Sequence, residues 1–195
     1  MSINLEFFFD VGSPASYLAW TQAPALAERT GATLRYRPML LGGVFKATGN
    51  ASPAAVPAKG RYSGVDMQRF ARRYGVTLNT NPHFPVNTLM AMRLATAAVD
   101  GDQRDTVLGA LFEGLWLQER DLSDIAVLGR TLTEAGLDPD HWAARAQDQA
   151  VKDSLKATTE EAVERGVFGA PTFFVGEEMF FGQDRLDFVE EALKA

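Results

Sequence analysis

The first apolar pattern along the chain has a period of two. Ile3, Leu5, Phe7 and Phe9 alternate with Asn4, Glu6 and Phe8, which predicts a strand over 3–9 with one strongly buried face. It leads into Ser13-Pro14, a hydroxyl residue followed by proline. That pair suits an N-cap and a first helical position, so a helix is expected from Pro14. Pro24 removes a backbone donor inside this helix and predicts a kink or break before Thr30-Gly31. A second alternating run over 33–37, with Leu34 and Tyr36 between charged neighbours, completes a β-α-β unit and opens a parallel sheet.

From 38 to about 158 the pattern turns helical, with expected helices over 66–74 closed by Gly75, 86–99, 103–120, 123–135 closed by Gly136, and 140–165 with a break. The Gly-, Ala- and Pro-rich stretch between Gly42 and Gly64 reads as a loop or lid. Extended structure returns after Pro171, where Thr172–Val175 and Glu178–Phe181 flank Gly176-Glu177, a two-residue turn with glycine placed as a type II′ hairpin prefers. A last helix over 184–193 puts Leu186, Val189 and Leu193 on one face. This order predicts an α/β fold, a thioredoxin-like domain with a large all-helical insertion. The domain would be discontinuous, 1–37 and 159–195, and the insertion would be 38–158.

Composition narrows the function. With 195 residues and 46% hydrophobic side chains the chain can bury a core of ordinary size. A formal charge of -6 argues against nucleic acid as a partner, because binding a phosphate backbone needs clustered Lys and Arg. No stretch approaches the roughly 20 apolar residues of a membrane span, and the N-terminus lacks the pattern of a secretory leader, so a cytoplasmic protein with no membrane partner is expected. Cysteine is absent, which removes every disulfide and thiolate ligand. His83 and His141 have no neighbours at ligand spacing, so no metal site is expected.

Two short motifs far apart in the chain carry the chemistry, Ser13-Pro14-Ala15-Ser16 and Gly169-Ala170-Pro171-Thr172. A helix start gathers unpaired N–H groups and the positive end of the macrodipole, so Ser13 stands where an anion such as a thiolate is stabilised; it also suits a plain N-cap. With no cysteine in the chain, the sulfur would have to arrive on a small molecule, and glutathione is the candidate. Pro171 suits a cis bond that turns the backbone of Ala170 toward an extended peptide, or a trans proline opening an edge strand. Asp184 suits the N-cap of the last helix, and a free carboxylate there can also hold an ammonium group. Asn50 and Lys59 can clamp a carboxylate, although a loop lysine is commonly just solvated.

In order, the stretches Phe8-Phe9-Asp10-Val11-Gly12-Ser13-Pro14 with Ser16-Tyr17-Leu18-Ala19, then Gly49-Asn50 and Lys59-Gly60, then Gly166-Val167-Phe168-Gly169-Ala170-Pro171-Thr172 and Phe181-Gly182-Gln183-Asp184-Arg185-Leu186 resemble the 2-hydroxychromene-2-carboxylate isomerases and the related kappa-class glutathione transferases. The resemblance implies a homodimer with glutathione as cofactor and a small aromatic substrate. It implies that Ser13 is catalytic and faces the glutathione sulfur, and that the backbone of Ala170, before Pro171, pairs with the cysteinyl unit. Gln183 and Asp184 would lie at the γ-glutamyl end, with Asn50 and Lys59 near the tripeptide. Many relatives carry an aromatic residue where this chain has Ala15. The implied reaction is cis-trans isomerisation of 2-hydroxychromene-2-carboxylate to trans-o-hydroxybenzylidenepyruvate in aromatic catabolism, through transient addition of the thiolate. The alternatives are a kappa-like glutathione transferase and a thioredoxin-like binding module that has lost its redox pair. The aromatic residues Phe45, Tyr62 and Phe84 suit a planar substrate or simply a core.

Overall fold

A four-stranded mixed sheet organises the computed structural model, which describes residues 3–195. The first two residues of the expected 1–37 segment lie outside the described residues. Strand β1 (Asn4–Phe9) pairs in parallel with β2 (Thr33–Pro38) across helix α1 (Pro14–Thr30), and antiparallel with β3 (Thr172–Val175), which pairs antiparallel with β4 (Glu178–Phe181). The spatial order is β2-β1-β3-β4. Between β2 and β3 run α2 (Leu41–Thr48), a 3-10 turn (Pro53–Ala55), α3 (Pro57–Tyr74), α4 (Leu89–Ala98), α5 (Arg104–Trp116), α6 (Ile125–Glu134), α7 (Pro139–Gln147) and α8 (Gln149–Glu164). After β4 a 3-10 turn (Gln183–Arg185) leads to α9 (Leu186–Lys194).

Strand β1 is buried on both faces. Leu5, Phe7 and Phe9 point into the main core, where Phe7 stacks on Phe9 at 5.0 Å and on Phe173 at 4.9 Å between ring centres. Leu18 and Leu26 of α1, Met92 and Leu94 of α4, and Leu111 and Phe112 of α5 pack into the same core, which continues to Leu132 and Leu155. Phe8 faces the other way, into a smaller cluster with Phe174, Met39, Val44, Ala162 and Val167. Guanidinium groups cover the edge of this second cluster: Arg37 lies 4.9 Å and Arg165 5.5 Å from the Phe8 ring, and Arg165 sits 3.8 Å over Phe174. Glu6 and Glu161 hold both arginines there. The expected alternation therefore marks the stronger face only, and Ile3, 45% exposed, precedes the strand.

Three expectations need correction. Helix α1 runs unbroken through Pro24, which sits on the exposed face while Ala23, Leu26 and Ala27 stay buried and anchor the inner side. The helix ends instead at Gly31, in the left-handed region at φ 67°, where a glycine carries no steric cost. The stretch from Gly42 to Gly64 is mostly helical, formed by α2, a 3-10 turn and the start of α3. Two of its glycines serve close packing, since a Cβ on Gly43 would lie 3.1 Å from Thr159 Cγ2 and one on Gly60 would lie 3.3 Å from Ala54 Cα, while Gly49 ends α2 at φ 72°. The last helix begins at Leu186 rather than Asp184, after the 3-10 turn. Elsewhere the expected helices are present as α4 to α8, with the break of 140–165 at Asp148. In the hairpin Gly176 has φ 59° and Glu177 is not in the positive-φ region, as a type II′ turn requires. No helix among the described residues is long and apolar enough to cross a membrane.

Glu190 of α9 ties the last helix to the first. It accepts from Arg29 at 2.6 Å and from Lys194 at 2.6 Å, and these bonds hold its carboxyl down to about 2. A depressed carboxyl contributes stability above its ordinary value of 4.5 and loses it as the pH falls toward 2. Glu190→Gln is therefore expected to lower urea resistance at neutral pH, with the gap to the parent closing in strong acid and narrowing in high salt. Denaturation curves at the two pH values check this.

Candidate functional site

The chain between β1 and α1 is fixed by side chains from several elements. The buried Asp10 carboxylate accepts from the Gly12 N–H and the Leu41 N–H, both at 2.9 Å, and from the Thr88 hydroxyl at 3.1 Å. Leu41 is the first residue of α2 and Thr88 immediately precedes α4. Burial pushes the Asp10 carboxyl above its ordinary value, and the bonds from Leu41, Gly12 and Thr88 pull it back. The Val11 carbonyl accepts from the Trp116 indole at 2.8 Å. Gly12 is required by contact, because a Cβ there would lie 2.7 Å from Thr88 Cγ2.

This turn delivers Ser13 to the start of α1 in a defined pose. Its N–H donates to the Asp10 carbonyl at 3.0 Å, and its Oγ accepts from the Ser16 N–H at 3.1 Å, the expected N-cap bond. The same Oγ donates to the Ala170 carbonyl at 3.1 Å. The two motifs singled out in the sequence thus meet through one hydroxyl. The Ala170-Pro171 bond is cis. Ser13 is buried and Ala170 half-buried, and the Ala170 N–H makes no hydrogen bond among the described residues.

The segment before Pro171 is fastened on both sides. Thr172 Oγ1 donates to the Gly169 carbonyl at 3.0 Å, and the Gly182 N–H donates to the Pro171 carbonyl at 2.9 Å. Phe168 and Phe181 lie 4.6 Å apart, both partly exposed, and a Cβ on Gly169 would lie 2.7 Å from the Phe181 ring. Asn50 reaches this segment, but its amide is used: Nδ2 donates to the Phe168 carbonyl at 2.8 Å and Oδ1 accepts from the Ala51 N–H at 2.8 Å. Lys59 is exposed in the first turn of α3 and makes no ion pair among the described residues.

Gln183 is buried in the 3-10 turn after β4, and its carbonyl accepts from the Tyr74 hydroxyl at 2.5 Å. Burial, assisted by Asp184, pushes the Tyr74 phenol up to about 12, so it remains a donor at neutral pH. Asp184 departs from expectation. It lies inside the 3-10 turn, α9 has no side-chain cap, and its carboxylate is paired with Arg185 at 2.5 Å rather than free. The adjacent guanidinium outcompetes the helix N–H groups for this carboxylate. Tyr62 and Phe84 are exposed, and Phe84 lies 6.0 Å from Trp116.

Asp10, Thr88, Trp116 and Tyr74 shape this site without having been marked as site residues by the sequence. Asp10 alone left a trace there, as a carboxylate between three phenylalanines and a Gly-Ser-Pro turn. Ser16, at the end of the first motif, is fully buried, and its hydroxyl oxygen has no hydrogen-bond partner among the described residues.

Residues 4–194 match the DSBA-like thioredoxin domain. The chain is 33% identical to a 2-hydroxychromene-2-carboxylate isomerase of Sphingobium xenophagum over 99% of both chains. It belongs to the 2-hydroxychromene-2-carboxylate isomerase family. A solved 2-hydroxychromene-2-carboxylate isomerase structure superposes with a TM-score of 0.87 at 30% identity, covering 98% of this chain and 94% of that one. Glutathione S-transferase kappa 1 of Rattus norvegicus is also similar, 28% identical over 94% of this chain and 87% of its own. Relatives named as isomerases and as transferases support an enzyme of one of these kinds on a DsbA-like fold. In this member of the isomerase family, the expected meeting of Ser13 with the segment at Pro171 is present, while the free carboxylate at Asp184 is not.

Two variants test the turn that places Ser13. Asp10→Ala leaves three donors facing a void and is expected to cost about 3 kcal/mol in chemical denaturation. Gly12→Ala is expected to cost roughly 1–3 kcal/mol through overlap with Thr88. Combined with Thr88→Ala, which removes the methyl it strikes, the double variant should lose less than the sum of the single losses.

Proposed function

We propose that the protein is a glutathione-dependent cis-trans isomerase that converts 2-hydroxychromene-2-carboxylate to trans-o-hydroxybenzylidenepyruvate in the breakdown of aromatic compounds. The observation that carries this reading is the bond from Ser13 Oγ to the Ala170 carbonyl, which joins a helix N-terminus to a backbone segment whose Ala170 N–H has no partner among the described residues. The donor set fits a cysteinyl peptide: the Ala15 N–H at the helix start and a hydroxyl for a thiolate, the Ala170 N–H and carbonyl for its backbone, and Gln183 beside the far end. When bound, glutathione supplies a sulfur nucleophile that adds reversibly to a conjugated double bond, so that rotation and departure of the sulfur return an isomer with the cofactor intact.

The residues of the chain act on charge and position. Ser13 and the first turn of α1 stabilise the anionic sulfur. Ala170 fixes the peptide along the segment that leads into β3, and Tyr74 holds the turn that carries Gln183. The exposed aromatic groups Phe168 and Phe181 flank this segment. Asn50 supports the site by holding the Phe168 carbonyl, and Lys59 offers a mobile charge for the glycyl carboxylate. A cytoplasmic homodimer is part of the same reading.

Product analysis tests the reaction: glutathione should be recovered unchanged after many turnovers. Stoichiometric loss of the thiol into a thioether would identify a kappa-like transferase, the reading favoured by the similarity to the rat enzyme. Absence of saturable glutathione binding in calorimetry would instead favour a binding module. Ser13→Ala is expected to lower kcat about 100-fold with a folded protein and little change in glutathione affinity.

A further inference from the structure

The Ser13 hydroxyl is already occupied. It has one hydrogen, and that hydrogen is given to the Ala170 carbonyl. Its oxygen accepts from the Ser16 N–H, so Oγ is held in place and only rotation of the O–H bond can redirect the donor. To donate to a sulfur the hydroxyl must leave the Ala170 carbonyl, and that half-buried carbonyl then needs another donor. A ligand that supplies the donor itself favours the exchange. The Ala170 N–H beside it has no partner among the described residues, so the segment before β3 presents one donor together with the carbonyl, the pair that an extended peptide matches.

We propose that Ser13 and Ala170 form an exchange switch in which the cysteinyl N–H of the ligand replaces the Ser13 hydroxyl on the Ala170 carbonyl and thereby frees that hydroxyl for the sulfur. The switch selects thiols that carry a backbone amide N–H on the same residue as the sulfur. A simple thiol has nothing to give the carbonyl, so it reaches the helix start without gaining the hydroxyl. Ser13 is thus a specificity-determining residue as well as an anion stabiliser. The inference rests on the reading that this site holds glutathione.

The test compares glutathione with its depsipeptide analogue, in which the cysteinyl N–H is replaced by an ester oxygen without added bulk. Calorimetry establishes saturation for each ligand, and ultraviolet thiolate absorbance against pH gives the bound thiol pKa. With the parent protein, the thiol of bound glutathione should ionise about one unit lower than that of the bound analogue, about a tenfold larger ratio of thiolate to thiol at a fixed pH below both values. With Ser13→Ala the two ligands should ionise alike, because there is no hydroxyl to release. Equal pKa values in the parent protein overturn the switch, and so does an analogue that cannot saturate the site, since the amide would then serve docking alone. Failure of glutathione itself to bind is a separate outcome that overturns the proposed function together with the switch.

Discussion

The buried carboxylate of Asp10 is the point on which the arrangement turns. It sits at the end of the central strand, and its oxygens take the first N–H of α2, the hydroxyl of the residue preceding α4 and the N–H that precedes the cap of α1. Three helix starts converge on one acidic group. A negative charge among N-terminal ends of helix dipoles is favourable, while removing it from water is not, and burial prevails, raising the carboxyl above its ordinary value. This cost is tolerated because the same contact sets the distance between strand, first helix and helical segment at the place where Ser13 must stand.

The second constraint is the two-sided burial of β1. A strand covered on both faces needs an apolar side chain at nearly every position, and 5–9 supplies this with Leu5 and Phe7 to Phe9, interrupted only by Glu6. Glu6 is no exception to the logic, since it anchors Arg37 and Arg165 over Phe8 and Phe174. Where helix cover runs out on the smaller face, flat guanidinium groups complete the lid with their own counter-ions. The sheet can then place β3, and with it Ala170 and Pro171, beside the end of β1.

Features that depend on neighbouring residues were legible in the sequence. The alternation of β1, the serine-proline start of α1 and the glycine turn of the hairpin each rest on chemistry within a few positions. The meeting of Ser13 with the 169–172 motif was legible because each half carries a distinct proline signature. Long-range competition hid the rest. Glycine between 42 and 64 has one letter for two uses, a turn and a close helix contact, and Thr159 and Ala54 decide between them here. Pro24 signals the bond it removes, whereas the packing of the inner face keeps the helix whole. Asp184 has the local pattern of a cap, and Arg185 beside it takes its charge. The service of Asp10 to α2 and α4 requires knowing that those helices begin against it, which no local pattern states.

The buried, unpartnered hydroxyl of Ser16 has a bearing on how such proteins diverge. A hydroxyl enclosed without a partner among the described residues costs about 1–3 kcal/mol in lost hydration, and a thiol would fill nearly the same space with weaker demands for a partner. The interior at the head of α1 therefore accepts sulfur at this position at least as readily as oxygen. Relatives on this scaffold can thus differ by one element there without a change of architecture.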